Sequence, residues 1–344
     1  DGNLTIGFNK DLAPFHLNIG VDADLSQLPP VLSRIVKNKD FLKELSLIYD
    51  VKGTATGVLI LGDDLASLNA EVKASNIHLA ARYKRLPYPI EIDGGHFNYG
   101  RTRLAFKNFN ANIGKSSLFT SSMVADWTKK PDLNLISPSA KINLNELYNL
   151  LRSHASFKKI LNNFNELKGE ASIDSLEIKG PFFNPGNWRV KTRGVVNDLI
   201  LTSDKIPESL KIGRGHFKWQ GTKVTFSDVD VSLGSSKISQ LSAGADLGKS
   251  ATFEVHSPSA ELVADELYPW LLSFEDGHFF LKDFSVTKGM VFLPNLNLNG
   301  PLRRPAQWHY ALTCNIKNLV LTSDAFGGAL TVDKGSFDLT REIS

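Results

Sequence analysis

Gly180-Pro181, Pro185, Trp188, Leu199-Ile200-Leu201-Thr202-Ser203-Asp204, Gly215 and Phe217 return in the same order and spacing. They reappear as Gly300-Pro301, Pro305, Trp308, Leu319-Val320-Leu321-Thr322-Ser323-Asp324, Gly335 and Phe337, each displaced by 120 residues. Stepping back by 120 finds Leu79, Gly95 and Phe97. A second block obeys the same displacement: Ser137-Pro138-Ser139-Ala140 with Glu146-Leu147-Tyr148 matches Ser257-Pro258-Ser259-Ala260 with Glu266-Leu267-Tyr268. A third pairs Leu104, Phe106, Phe109, Ala111, Ile113 and Gly114 with Val224, Phe226, Val229, Val231, Leu233 and Gly234. Lys168-Gly169 and Lys288-Gly289 open equivalent units, and Lys52-Gly53 does so at a slightly shorter offset. Three blocks in register without a gap define a repeat protein.

Inside a unit the apolar residues occupy alternate positions in short runs, as in Ser175-Leu176-Glu177-Ile178-Lys179 and Val224-Thr225-Phe226. A period of two over many such runs predicts antiparallel sheet. The alternation changes parity across Ser227-Asp228 and resumes through Val229, Val231 and Leu233, which predicts a bulge or tight turn there. The Ser-Pro-Ser-Ala block reads as the end of the strands. Leu262, Leu267, Leu271 and Leu272 then stand near helical spacing, predicting a helix over 261–273 with Ser259 as its N-cap. Similar helices are expected over 143–153 and 157–167, and another over 24–46, interrupted at Pro29-Pro30.

The expected fold is therefore mainly β with a few helices: an elongated, curved antiparallel sheet of repeats about 120 residues long. Residues 1–47 form the tail of a truncated repeat, 48–167 and 168–287 two full repeats, and 288–344 the first half of a further one. Neither end reads as a cap, and a repeat needs neighbours to bury its faces. The chain is thus expected to be an excerpt of a longer protein.

Of the 344 residues, 42% are apolar and 22% charged, an ordinary folding composition. Lys and Arg total 39 against 36 Asp and Glu, too even a balance for a nucleic-acid-binding face. The single Cys314 permits neither an internal disulfide nor a cysteine zinc site. No apolar run approaches the roughly 18–20 residues of a spanning helix; the densest, Gly57-Val58-Leu59-Ile60-Leu61, is strand-sized. Residues 1–10 lack the basic-then-apolar pattern of a signal peptide.

Candidate chemistry is sparse. His96 and His216 are equivalent, but the third copy carries Ser336, and a pair in separate units suits a solvated strand face better than a metal. Asp204 and Asp324 follow strands, where Ser and Asp favour turns. Gly94-Gly95 and Gly213-Arg214-Gly215 read as turn glycines, since no helix with Lys-Ser/Thr follows to make a phosphate loop. Trp188 and Trp308 read as repeat packing. Arg82, Lys84 and Arg85 suit phosphate head groups, although a solvated loop is the simpler reading. The stretch 143–167, with Lys158 and Lys159, suits a membrane surface or a rim helix equally. No carboxylate cluster recurs, so no catalytic residues, no metal, no cofactor and no enzymatic activity are expected.

The constellation of Lys168-Gly169, Gly180-Pro181, Trp188, Leu199, Leu201, Gly215, Phe217 and Leu233-Gly234 resembles the AsmA-like proteins of Gram-negative bacteria. The resemblance is best over residues 168–337 and weakest over the first 47. It implies a long β-groove in the periplasm, held to the inner membrane by an N-terminal helix that this sequence lacks. It further implies a role in passing phospholipids, or other acyl-chain lipids, between inner and outer membranes, without catalysis, with possible envelope protein partners and without nucleic acid.

Lipid passage sets a physical requirement that the pattern can be tested against. Exposing an acyl chain to water costs about 0.8 kcal/mol per CH₂, so two chains of roughly 16 carbons represent on the order of 25 kcal/mol. A conduit must therefore offer an apolar face while the backbone stays hydrogen-bonded in a sheet. Leu176, Ile178, Leu199, Leu201, Phe217, Trp219, Val224 and Phe226 supply the candidate lining of one unit. Leu79, Phe97, Leu104 and Phe106 supply the unit before, and Leu296, Leu298, Leu319, Leu321 and Phe337 the unit after. Glu177, Lys179, Lys218, Lys223, Asp228 and Asp230 stand on the opposite face and suit water. The competing expectation is a structural scaffold whose apolar face is filled by its own side chains, with the helices at 24–46, 143–167 and 261–273 as its covers.

Overall fold

A computed structural model describes residues 2–7, 14–35, 39–64, 67–100, 102–128, 130–153, 161–162, 164–182, 184–204, 206–272, 278, 282–302, 304–323 and 327–341. The chain is mainly β, and its strands belong to one antiparallel sheet of 21 strands. Packing divides the chain into two compact units, residues 1–142 with 173–191 and residues 143–172 with 192–344. The first unit holds β1 (Gly2–Ile6), β2 (Pro14–Asp24), α1 (Leu28–Ile35), α2 (Lys39–Leu45), β3 (Ile48–Asp64), β4 (Ser67–Tyr83), β5 (Ile90–Asp93), β6 (His96–Gly100), β7 (Arg103–Ile113), β8 (Ser116–Asp126), β9 (Asp132–Ser137) and most of β10 (Ser139–Asn143). The second holds α3 (Leu144–Ser153), β13 (Ile206–Gln220), β14 (Lys223–Leu233), β15 (Ser236–Asp246), β16 (Thr252–Ser257), β17 (Ser259–Val263), α4 (Ala264–Leu272), β18 (Ser285–Leu293), β19 (Leu296–Pro301), β20 (His309–Ser323) and β21 (Gly328–Arg341). β11 (Glu166–Pro181) and β12 (Arg189–Ser203) contribute residues to both.

Elements recur at the displacement read from the sequence. β7, β8, β9 and β10 become β14, β15, β16 and β17 on adding 120 to each end. Cross-strand pairing recurs with them: Phe97↔Phe106, Phe106↔Met123 and Met123↔Leu135 in the first unit match Phe217↔Phe226, Phe226↔Ala243 and Ala243↔Val255 in the second. The Lys-Gly openings are positions of close backbone approach. Gly53, Gly169 and Gly289 have φ of +134°, +122° and +146°, and an added Cβ would lie 1.8 Å from the His78 carbonyl oxygen, 2.8 Å from that of Asp198 and 2.8 Å from Leu319 Cα, respectively.

The parity change is a bulge on each of two adjacent strands. Between Phe226 and Val229 the β14 register against β15 slips, and it slips back between Val229 and Val231. Asp228 and Gln240 occupy left-handed backbone with φ of +54° and +51°, and Asn108 and Thr120 do the same one repeat earlier. Asp230 Oδ1 accepts from Gln240 N–H at 3.0 Å, as Asn110 Oδ1 does from Thr120 N–H at 2.9 Å, so each bulge is tied to its neighbour strand. An extra residue offsets a parity change, keeping the apolar set on one face. The Phe106 and Phe109 rings accordingly stack, their centroids 4.3 Å apart, although three positions separate them.

Several local expectations are corrected. The Ser-Pro-Ser-Ala block does not end the strands; it is a corner between β9 and β10 and between β16 and β17. Ser257 Oγ donates at the corner to the carbonyls of Ser239 (2.7 Å) and Ser259 (2.9 Å), and Ser137 Oγ donates to that of Ser139 (2.7 Å). Ser259 therefore lies in a strand and is no N-cap; the helix begins at Ala264. In the other copy Asn143 is the cap, its Oδ1 accepting from Glu146 N–H at 3.1 Å. Pro29 and Pro30 do not interrupt a helix but lie in the first turn of α1, where a missing N–H loses no hydrogen bond. Of the helix expected over 157–167, residues 157–160 and 163 lie outside the described residues, and Glu166 already belongs to β11. Gly215 is not a turn glycine but lies within β13, packed against buried Val229.

The indoles of Trp188 and Trp308 donate to the carbonyls of Pro181 (2.9 Å) and Pro301 (3.0 Å), bridging the ends of one loop. Glu266 fixes α4 to the turn before β15, accepting from the backbone of Ser235 (2.7 Å) and Ser236 (3.1 Å) and from the Ser236 hydroxyl (2.9 Å). Burial acts to raise its pKa, but these hydrogen bonds outweigh it and hold the carboxyl below its ordinary value. A depressed carboxylate stabilises the fold above its unfolded pKa, and that contribution disappears as pH falls through the folded value. Glu266→Ala should cost about 1–3 kcal/mol in urea denaturation at neutral pH, since hydrogen bonds to a charged group are lost. The difference from the parent should shrink in acid.

Candidate functional site

Residues directly opposed in an antiparallel ladder share a face. In the first unit the pairings Val21↔Gly57, Gly57↔Ala74, Ala74↔Phe97, Phe97↔Phe106, Phe106↔Met123, Met123↔Leu135 and Leu135↔Ile178 make one row across eight strands. An adjoining row runs from Ile19 through Leu59, Val72, Tyr99, Leu104 and Ala125 to Leu133. In the second unit Phe217, Phe226, Ala243, Val255, Leu298 and Tyr310 form a row across six strands, beside Trp219, Val224, Ala245 and Phe253. At about 4.8 Å per strand these rows extend roughly 34 Å and 24 Å. Half the hydrocarbon core of a bilayer is about 15 Å. Each unit thus presents an apolar track longer than one leaflet's acyl region.

Exposure separates a closed core from an open face. Of the candidate lining residues Phe106 is buried and Phe337 is exposed. Leu79, Phe97, Leu104, Leu176, Ile178, Leu199, Leu201, Phe217, Trp219, Val224, Phe226, Leu296, Leu298, Leu319 and Leu321 are all half-buried. Around Phe106 the first unit has a packed cluster, with Leu25, Ala55, Ile77, Phe109 and Ala111 buried and Leu79 and Phe97 against it. The second has a smaller one around Ala260, Leu293 and Cys314, against which Leu296 packs. The helices bury part of their apolar residues, Leu144 and Tyr148 of α3 and Ala264 of α4, and leave others open. Leu25 reaches the cluster, but Leu28 and Val31 of α1 and Leu271 of α4 remain exposed. Some lining residues thus belong to compact cores, while the paired rows stay partly accessible.

On the opposite face Lys179, Lys218, Lys223, Asp228 and Asp230 are exposed and Glu177 is half-buried. A hollow of about 640 Å³ in the first unit has Lys73, His96, Asn98, Arg103 and Lys107 in its lining, not the predicted apolar set. Polar positions of β4, β6 and β7 line it together with Gly57, Val58, Ala74 and Ala105, a grouping that apolar alternation along the sequence does not reveal. His96 and His216 are exposed, and His216 Nδ1 lies 3.9 Å from Asp228. Among the described residues no three His, Cys, Asp or Glu side chains converge on a metal position. Asp204 lies in a turn and accepts from Asn165 at 2.6 Å; Asp324 lies outside the described residues. Among the described residues no helix is long and apolar enough to cross a membrane.

Of the cations at 82–85, Arg82 and Arg85 lie beside carboxylates of the same unit. Arg85 pairs with Glu44 of α2 at 2.5 Å, Tyr83 donates to the same carboxylate, and Arg82 lies 3.7 Å from Asp50. Burial, then the neighbouring Glu44, pushes the Tyr83 phenol up to about 12. A raised pKa means stability that is complete below the unfolded value of about 10 and is lost as pH rises towards 12. Tyr83→Phe should therefore flatten the alkaline limb of a stability–pH curve. An ultraviolet titration should lose its latest-ionising phenol.

No family model, curated protein or solved structure matches the chain.

Proposed function

We propose that this chain is a lipid-carrying module that holds acyl chains of phospholipids against the apolar face of its sheet while their head groups remain in water. The reading rests on the paired apolar rows that cross each unit, half-buried throughout the named rows of the second and, in the first, half-buried apart from buried Phe106, Ala125 and Leu133 and exposed Val21, with Lys179, Lys218, Lys223, Asp228 and Asp230 exposed on the other face. Such a face can take up hydrocarbon without breaking a backbone hydrogen bond. Movement along it is passive; direction and energy come from elsewhere. The resemblance to AsmA-like proteins supports placing the module in the periplasm of a Gram-negative bacterium, within a longer inner-membrane-anchored protein that serves outer-membrane lipid homeostasis. The cluster around Phe106 and Phe109 favours a second reading, an envelope scaffold with a self-filled β core.

Mass spectrometry of lipid extracted from the purified protein separates the two. Phospholipid in stoichiometric amount, displaced by a fluorescent fatty-acid probe, is the expected result. Lipid-free protein that takes up no probe would leave the scaffold reading.

A further inference from the structure

The polar face of the first unit gathers cations around a floor of small side chains. Ladder pairs place Val58, Lys73, Asn98 and Ala105 in one row and Ser75, His96 and Lys107 in the next. Arg103 faces Gly100 on the other side of that first row. Ala105 lies at the centre. Arg103 and Lys107 stand two residues to either side of it, about 7 Å away, and Lys73 lies two strands off, about 10 Å. Together they line the hollow of about 640 Å³, a size typical of small-molecule sites. Lys73, His96, Asn98, Arg103 and Lys107 are all exposed, whereas Ala105 and Val58 beneath them are half-buried.

Among the described residues its lining contains no carboxylate. Two stand at its edge. Glu71 pairs with Lys73 at 3.2 Å. Asp126 opposes Arg103 in the ladder, and its Oδ1 accepts from Thr128 N–H at 2.8 Å. Lys107 is opposed by His96, so neither carboxylate faces it. Packing does not require these cations. Two repeats on, Lys73, His96 and Asn98 correspond to Thr313, Ser336 and Asp338, where the Thr313 hydroxyl donates to Asp338 at 2.8 Å. One repeat on, Arg193, His216 and Lys223 keep the charge, but Thr225 replaces Ala105 and Ser227 replaces Lys107. The first unit combines the full set of cations with the small floor.

The geometry points to this hollow as a binding site for a compact phosphate-bearing anion of about diphosphate size. Arg103, Lys107 and Lys73 supply charge-assisted hydrogen bonds to its oxygens, and Asn98 adds a neutral donor. Arg103 and Lys107 are about 13 Å apart along β7. One carboxylate is too small to bridge cations so spaced, whereas linked phosphates present acceptors in several directions. A recess does not fit a flat bilayer, but it admits a single protruding head group. The phosphate therefore comes from a soluble compound or from a displayed head group, and the chemistry that holds it is the same. The hollow belongs to the face opposite Phe97 and Phe106, so the inference does not depend on lipid occupying the apolar face.

Inorganic pyrophosphate titrated into the whole protein by calorimetry at low salt is the test. Saturable binding that weakens as salt is raised is expected. Lys107→Glu should weaken it by about tenfold or more; Arg103→Glu, also at an exposed position, serves if that variant fails to fold. Glu71→Gln should strengthen binding, because it releases Lys73 from its partner. Lys237→Glu makes the same charge change on an exposed strand position of the second unit and should leave affinity unchanged. Vesicles of phosphatidylcholine with phosphatidylglycerol separate the sources. Vesicle binding displaced by pyrophosphate assigns the site to head groups, and pyrophosphate binding without vesicle binding assigns it to soluble phosphates. No pyrophosphate binding, with or without vesicle binding, or an equal loss in Lys237→Glu, would overturn the assignment.

Discussion

Gly53→Ala should strongly destabilise the first unit. The methyl group would lie 1.8 Å from the His78 carbonyl oxygen, a backbone atom of the adjoining strand, and φ is +134°. Relief requires separating β3 from β4 where Gly53 faces Leu79, beside the cluster of Ile77, Phe106 and Phe109. Clash and backbone strain together should exceed about 4 kcal/mol, a large share of the 5–15 kcal/mol that holds a typical domain folded. Gly94→Ala is the informative control. Its φ is +71°, but nothing lies within 4 Å of the added carbon, so only the conformational term of about 1–2 kcal/mol applies. Urea denaturation of both variants separates steric exclusion from left-handed backbone preference. Equal losses would show that the close approach to His78 does not matter.

The second large effect concerns the apolar face. Leu199→Asp and Leu321→Asp place a carboxylate on the proposed lipid track at half-buried positions. If hydrocarbon occupies that surface, the charge must be desolvated whenever lipid passes. Uptake of a fluorescent fatty acid should fall by roughly tenfold or more, equivalent to about 1.4 kcal/mol. The fold should survive, because the new carboxylate reaches water when the face is empty. Lys218→Asp, on the exposed opposite face, should leave uptake unchanged. If the leucine variants instead unfold, the side chains are ordinary core and lipid carriage is excluded.

The repeat, its displacement of 120 residues and the parity change at Ser227-Asp228 could all be read from apolar spacing, because burial on one face imposes a period of two. What escaped depends on partners distant in sequence. The proline in Ser257-Pro258-Ser259 looks like a strand stop, yet Ser257 accepts its corner by donating to the Ser239 carbonyl across the sheet. Gly215 looks like a turn residue because nothing local reveals Val229 pressing on it. Ser259 has the right chemistry for a cap, but β17 recruits it into pairing with Ser239. For the candidate face, alternation identified which residues point together. It did not distinguish buried Phe106 from half-buried Phe226, its equivalent, because that difference arises from what lies above the ring: Phe109 stacks on Phe106, whereas the smaller Val229 follows Phe226.

The left-handed residues at Asn108 and Asp228 bear on how such a chain lengthens by gene duplication. A crossover between equivalent points of two copies preserves sidedness, because each cassette carries its own correction for parity. A junction misplaced by a single codon inside a strand turns every following side chain over, setting oily groups where charges belong. Growth by whole modules is therefore the route that mutation can follow without passing through a misfolded ancestor.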